Sequence, residues 1–123
     1  MSKKKSEESD ILLNTIIQGM QDMKADNITV LDFEDIDTSV CKYFVICSGS
    51  SNTHVSAISE NIKKFVRRNS KEKPWGSEGY EACEWVLLDY LNIVVHIFQD
   101  RIREFYGLED LWADARIENI KKI

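Results

Sequence analysis

The sequence lacks the cysteine pattern of a disulfide-stabilised or zinc-binding protein. Its 123 residues include only three cysteines, which are Cys41, Cys47 and Cys83. An odd number of cysteines without a C-x-x-C pair argues against a disulfide framework and against a zinc site, and it fits a reducing compartment. We therefore expect neither a structural metal nor a disulfide.

Long hydrophobic runs are also absent. No apolar stretch approaches the roughly 20 residues that a membrane-spanning helix needs. The N-terminal segment 1–8 is polar and has no apolar stretch of the signal-peptide type. These absences predict a cytoplasmic protein without a membrane partner.

The charge balance lacks the excess of basic residues that nucleic-acid binding favours. There are 16 Lys and Arg residues against 21 Asp and Glu residues, for a formal charge of −5. Affinity for free nucleic acid comes largely from neutralising phosphates, so an acidic chain argues against sequence-specific DNA or RNA binding. A basic protein partner fits better. With 43% hydrophobic residues the chain can bury a core, and its length is typical of one domain.

The hydrophobic pattern predicts alternating helices and strands. Predicted in chain order are a helix over 11–23, a strand over 28–33, an acidic turn over 34–39, a strand over 43–47, a helix over 55–66, a loop or short irregular strand over 75–80, a hairpin of 84–90 with 92–98, and a helix or pair of turns over 101–111. The crossover through the second helix favours a parallel strand pair, whereas the hairpin is antiparallel. The prediction is a single α/β domain of α+β-like type, with a mixed sheet and flanking helices. Its limits are placed at 9–116, with a flexible N-terminus at 1–8 and a frayed tail at 117–123.

The turn after the second strand has two interpretations. Gly49, Ser50, Ser51 and Thr53 precede a helix, where free backbone N–H groups and the helix dipole can hold an anion. The alternative is that Ser51, Asn52 or Thr53 only caps the helix. His54 beside the turn is placed either to assist an anion site or to pack along the helix flank.

The patterns of two enzyme classes are incomplete. A Gly-Ser turn after a strand is how nucleotidyltransferases hold a nucleotide, but their metal needs paired carboxylates on the next strand. Here that strand offers Asp89 alone, with Leu87 at the partner position. Ser50, Asp89 and His96 follow the order of a hydrolase triad, yet the G-x-S-x-G elbow is missing. His96 alternates with apolar neighbours and is predicted to be a half-buried structural histidine.

A basic run from Lys63 to Lys73 stands out in an otherwise acidic chain. It is interpreted either as the solvated face of the second helix or as a contact surface for RNA phosphates. The second interpretation would make the protein an RNA-binding adaptor.

The last third of the chain brings aromatic and acidic residues together. The aromatic residues are Trp85, Tyr90, Tyr106 and Trp112, and the acidic residues are Glu84, Asp89, Glu104 and Glu109. Rigid aromatic side chains ringed by carboxylates are typical of an interface with a basic protein. Some of these aromatic residues must belong to the core.

A string of motifs gives the chain a family resemblance. The motifs are YFVICSGSSNTHV at 43–55, Glu78-Gly79, EWVLLDY at 84–90, VVHIF at 94–98 and REFYGLEDLW at 103–112. In order and spacing, from about the first helix to Trp112, they resemble the ribosomal silencing factor family, also called Iojap or RsfS. Linked motifs of this kind are far more specific than any one of them.

The resemblance implies a mixed sheet with nucleotidyltransferase-like topology but without the catalytic carboxylates, and therefore no enzyme activity, metal or cofactor. It implies binding to the large ribosomal subunit through ribosomal protein fourteen of that subunit. The small subunit is then blocked from joining, and translation is repressed when nutrients are short. A homodimer is compatible with so small a domain. The alternative is a nucleotidyltransferase-like nucleotide-binding protein that uses the Gly49-Ser50 turn.

Six positions correspond to surface residues that the family shares, and a subset is predicted to contact the ribosomal protein. They are Glu78, Trp85, Asp89, Glu104, Tyr106 and Glu109. Trp85 is the first choice for the central contact. The chain departs from the family at Cys41-Lys42, where an Asp is usual, and at Leu91, which replaces a common turn glycine.

Overall fold

The computed structural model describes residues 3–33, 36, 41–111 and 115–121. The elements in chain order are α1 (Lys3–Asp22), β1 (Asp26–Asp32), β2 (Tyr43–Gly49), α2 (Asn52–Ser70), β3 (Gly76–Glu78), β4 (Trp85–Asp89), β5 (Ile93–Gln99), α3 (Asp100–Tyr106), α4 (Leu108–Leu111) and β6 (Arg116–Asn119). No helix in the described part of the chain combines the length and apolar character needed to cross a membrane.

The six strands form one mixed sheet in the order β3-β4-β5-β2-β1-β6. β2 and β5 are parallel, whereas the other neighbouring pairs are antiparallel. The predicted parallel pair and the predicted hairpin of β4 with β5 are therefore confirmed. The mixed sheet with flanking helices, and hence the predicted fold class, is confirmed as well.

One face of the sheet is covered by α1 and α2. Both helices place an apolar stripe on it, which includes Ile16 and Met20 of α1 and Ile58 and Ile62 of α2, all fully buried. The two helices approach closely at Gly19, where an added Cβ would lie 3.1 Å from the Cα of Ile62. Truncating one of these buried side chains to alanine would lower the free energy of unfolding by about 2–5 kcal/mol, because the truncation leaves a cavity in the packed core.

The opposite face of the sheet, which we call the open face, is only partly covered by the short helix α3. Side chains alternate along a strand, so the register assigns residues of neighbouring strands to this face. One row runs through Glu78, Leu87, His96 and Ile46, and a second includes Trp85 and Phe98. The β4 side chains of this face are only half-buried, so part of it remains accessible.

Both ends of the chain differ from the prediction. Helix α1 begins at Lys3, so residues 3–8 are helical where a flexible N-terminus was predicted. Lys and Glu have high helix propensity but no apolar period, which is why the pattern did not reveal this part of the helix. At the other end, Arg116–Asn119 forms the edge strand β6 on β1 instead of a frayed tail.

Other predictions fall on shorter segments. The segment 76–78 forms the strand β3, one of the two predicted alternatives. Gly107 separates α3 from α4 with a φ of 53°, and glycine adopts this left-handed conformation without strain. The predicted helix or pair of turns over 101–111 is therefore two short helices. The predicted acidic turn at 34–39, apart from Ile36, and Trp112 lie outside the described residues.

Candidate partner-binding surface

The structure brings four of the six predicted contact residues to the open face or its rim. Glu78, Trp85 and Asp89 lie on this face by strand register, and Tyr106 of α3 packs on Trp85 with ring centroids 4.9 Å apart. Glu78 is exposed and Asp89 is half-buried. The Asp89 carboxylate also accepts a hydrogen bond from the Leu91 N–H at 2.8 Å, so it shapes the hairpin turn.

Trp85 is held on three sides. Its indole Nε1 donates a hydrogen bond to His96 Nδ1 at 3.0 Å. Its ring stacks on Phe98, with centroids 4.8 Å apart and an interplanar angle of 27°, and Tyr106 covers it from α3. The predicted central contact is therefore half-buried and supports the residues above it.

His96 is more deeply buried than predicted, with only 4% of its surface exposed. It lies on the open face while Val95 and Ile97 belong to the core under the helices, which confirms the predicted alternation. Because Nδ1 accepts a hydrogen bond from the indole N–H, the neutral imidazole ring carries its own proton on Nε2. Burial lowers the pKa of His96 to about 4, so the ring is uncharged at neutral pH.

The most exposed aromatic residues of this surface lie on α3. Phe105 is 81% exposed and Tyr106 is 53% exposed, and their rings meet edge to face at 5.2 Å. Sequence reasoning did not include Phe105 among the predicted contact residues. The available signal was its place beside the predicted contact Tyr106, within the motif at 103–112. Tyr90, by contrast, is a core residue.

The last two predicted residues, Glu104 and Glu109, lie near Arg103 rather than on the open face. Arg103 is buried, and its guanidinium forms an ion pair with Glu109 at 3.2 Å. Glu109 is therefore engaged within the chain, while Glu104 remains exposed. Sequence reasoning assigned no role to Arg103, although the residue lies within the family motif at 103–112.

Arg103 connects α3 to the first two strands. It donates hydrogen bonds to the Asn27 carbonyl, to Ser48 Oγ at 3.0 Å and to Thr29 Oγ1 at 3.0 Å. Buried polar groups need such partners, and here one side chain satisfies groups on two strands. The position of α3, and with it the aromatic pair at 105–106, depends on this anchor.

A polar pocket of about 730 Å³ lies beside Arg103. Its charged lining residues are Asp26, Asp100, Arg103, Glu104, Glu109 and Asp110. Five carboxylates against one paired guanidinium disfavour a phosphate group. Among the residues that the structure describes, no group of three or more His, Cys, Asp or Glu side chains is arranged to hold a metal ion.

The turn after β2 is a helix cap in this structure. Ser51 is the N-cap of α2, and its Oγ accepts the His54 N–H at 3.1 Å, which confirms the capping interpretation for that residue. The Ser50 N–H, which an anion would need, donates to His54 Nδ1 at 2.9 Å. At Gly49 an added Cβ would lie 3.0 Å from Val55 Cγ2, so this glycine allows helix and strand to meet.

The basic run is partly engaged within the chain. Lys63 Nζ pairs with Glu60 at 2.7 Å and lies 4.7 Å from the centre of the Tyr80 ring. Arg67 and Arg68 occupy the last turn of α2, where positive charge is stabilised by the helix dipole. Lys64, Arg67 and Arg68 are exposed, which agrees with a solvated helix face.

Together these features define a mixed α/β domain that presents an aromatic surface with acidic residues around it. Comparison with known proteins identifies its family: the model of the family described as "Ribosomal silencing factor during starvation" matches residues 4–123. The chain belongs to the ribosomal silencing factor family, as its motifs predicted.

Relatives and solved structures agree with this assignment. The ribosomal silencing factor RsfS of Halalkalibacterium halodurans is 36% identical over 104 residues, covering 85% of this chain and 87% of that one. The RsfS of Bacillus subtilis is 36% identical over 109 residues, with 89% and 91% covered. A crystal structure from Chromobacterium violaceum has a TM-score of 0.79 at 30% identity, covering 85% of both chains. One from Bacillus halodurans has a TM-score of 0.75 at 31% identity, covering 91% of this chain and 98% of the other.

Proposed function

We propose that this protein binds the large ribosomal subunit in the cytoplasm through ribosomal protein fourteen of that subunit and prevents the small subunit from joining. Translation is thereby repressed when nutrients are limiting. Membership of the ribosomal silencing factor family supports the general role. A mouse relative, 35% identical over 73 residues that cover 58% of this chain and 32% of its own, is named mitochondrial assembly of ribosomal large subunit protein 1.

The observation that carries the proposal is the aromatic surface on α3 and the open face. Phe105 and Tyr106 are large exposed side chains on a helix anchored through buried Arg103. Exposed aromatic side chains on a rigid support are typical of interface anchors, because they bury much area at little entropic cost. The exposed carboxylates of Glu78 and Glu104 add negative charge around them.

The charge of the surface fits a basic partner. Ribosomal proteins are generally basic, so carboxylates at the rim accelerate and orient association while desolvated aromatic groups supply affinity. The proposed action is steric: a bound domain occupies the face that the small subunit needs. It requires no chemical step, and the pocket beside Arg103 is not assigned a substrate.

The proposal is tested by sedimentation with purified large subunits, followed by addition of small subunits and a count of rejoined particles. We expect the protein to pellet with large subunits and to lower rejoining. Phe105→Ser should weaken binding about thirtyfold, because truncating an interface anchor costs about 2 kcal/mol. Its stability should hardly change, since the side chain is exposed.

A matched control is available on another surface. Trp75 is 77% exposed and lies beside α1 residues such as Ile11 and Leu12, on the helix-covered side. Trp75→Ser removes an equally exposed aromatic side chain and should leave binding unchanged. Normal rejoining in the presence of the wild-type protein, or equal losses from both variants, would contradict the proposal.

The alternative functions have separate readouts. A nucleotide-binding protein would be stabilised against thermal unfolding by a nucleotide with Mg²⁺, because a ligand of the native state raises the melting temperature. An RNA-binding adaptor would bind naked ribosomal RNA with an affinity that falls steeply with salt. If one of these results were obtained and the protein did not sediment with large subunits, that alternative would replace the proposed function.

A further inference from the structure

We propose that His96 is a positioning residue for partner binding: its Nδ1 fixes the indole of Trp85, and the fixed indole supports the exposed aromatic pair Tyr106 and Phe105. The inference rests on the proposed function in that it assigns the aromatic surface to partner binding. It adds a buried residue that no partner touches but on which the geometry of that surface depends.

The contacts form an unbroken chain from the core to solvent. Buried His96 accepts a hydrogen bond from Trp85 Nε1 at 3.0 Å. The Trp85 ring contacts the Tyr106 ring with centroids 4.9 Å apart, and the Tyr106 ring contacts the Phe105 ring with centroids 5.2 Å apart. Phe98 stacks on the indole with centroids 4.8 Å apart. The indole therefore has one hydrogen-bond acceptor and two ring neighbours, which together define its orientation.

A histidine at this place is not explained by packing alone. Its Nε2 is buried without a hydrogen-bond partner among the described residues, and such a group costs stability. An aliphatic side chain would avoid that cost beside the apolar neighbours Phe44, Ile46 and Phe98. What an aliphatic residue would not provide is the acceptor that holds the indole N–H.

The hydrogen bond also decides what the surface can recognise. Because the indole N–H is already used, Trp85 cannot donate to an acceptor on the partner. Recognition then proceeds through ring surfaces, which favour apolar groups and the cationic side chains of lysine and arginine. This agrees with the exposed carboxylate of Glu78 on the same face of the sheet.

The test is a double-mutant cycle on affinity for purified large ribosomal subunits, measured where every variant is folded. His96→Leu removes the acceptor, and we expect about a tenfold loss of affinity. His96→Asn places its acceptor Oδ1 at the δ position that Nδ1 occupies, and it should recover most of the affinity. In a Trp85→Phe background, which lacks the indole donor, His96→Leu should cause no further loss.

Ile46→Val provides the matched control. Ile46 is fully buried and pairs with His96 in the sheet, so the change lowers stability without touching the hydrogen bond. Its affinity should equal that of the wild type. A loss in Ile46→Val as large as in His96→Leu, or a further loss from His96→Leu in the Trp85→Phe background, would overturn the positioning role.

A second readout separates this inference from the proposed function. The indole N–H resonance of Trp85 in the free protein should move and exchange faster with water in His96→Leu, and it should be restored towards its wild-type position in His96→Asn. Failure of the wild-type protein to bind large subunits would refute the proposed function. An unchanged indole resonance in His96→Leu would refute the positioning of Trp85 by His96.

Discussion

Replacing Arg103 with methionine should destabilise the whole domain. The change keeps the aliphatic stem but removes a buried guanidinium that bonds Asn27, Thr29 and Ser48 and pairs with Glu109. Removing one partner of a buried ion pair costs about 3–5 kcal/mol, because the remaining polar groups lose their bonds. The Glu109 side chain is 32% exposed, so solvent weakens its interaction with Arg103. We therefore expect a loss of stability near the lower end of this range.

This loss is a large fraction of the stability of a small domain, which is about 5–15 kcal/mol. Urea unfolding followed by circular dichroism gives the free energy of unfolding for each variant. Arg101→Met is the matched control, since Arg101 is exposed on the same helix and should change stability by less than about 0.5 kcal/mol. If Arg103→Met were as stable as Arg101→Met, the anchoring of α3 by Arg103 would be refuted.

Three further predictions test other parts of the structure. Burial lowers the pKa of His96 from 6.5 to about 4, so the unfolded chain takes up the proton first. The stability that neutral His96 contributes should be complete above pH 6.5 and be lost as the pH falls towards 4. In His96→Gln this loss of unfolding free energy, about 3 kcal/mol by urea unfolding, should be absent. Parallel pH profiles of the two proteins would contradict this. Gly79→Ala should unfold at a lower temperature by calorimetry, because Gly79 has a φ of 91° and a Cβ would lie 1.9 Å from the Trp85 carbonyl oxygen; an unchanged midpoint would show that the close approach is wrong. Leu91 has a φ of 70° and is 51% exposed, so Leu91→Asn should gain about 0.5–1 kcal/mol in urea unfolding, and a loss would mean that the leucine packs on its surroundings.

Several parts of the fold follow from local sequence pattern. The strand from Tyr43, the capped turn at Ser51 and the amphipathic helix after it are adjacent in the chain, and their periodicity and capping residues suffice to predict them. The hairpin of β4 and β5 is likewise a contact between neighbours in sequence. The motifs on these elements also carried the family resemblance.

The surface was only partly predictable. Six residues were named from the sequence. The structure places Glu78, Trp85 and Asp89 on one face of the sheet, with Tyr106 packed on Trp85, while Glu109 pairs with Arg103. Phe105 was missed because a short helix gives too little periodicity to separate the covered side from the exposed side. Exposure depends on which element covers the helix, and that element is distant in sequence.

What the sequence by itself determined was the kind of elements, the mixed sheet and the family. What only the tertiary structure decided was the partnership of residues far apart in the chain: Arg103 with Asn27, Arg103 with Ser48, and β6 with β1. Local pattern reports how each segment prefers to fold and which side it buries. Hydrogen bonds between distant segments depend on distances that arise only when the segments pack, so no single stretch of sequence encodes them.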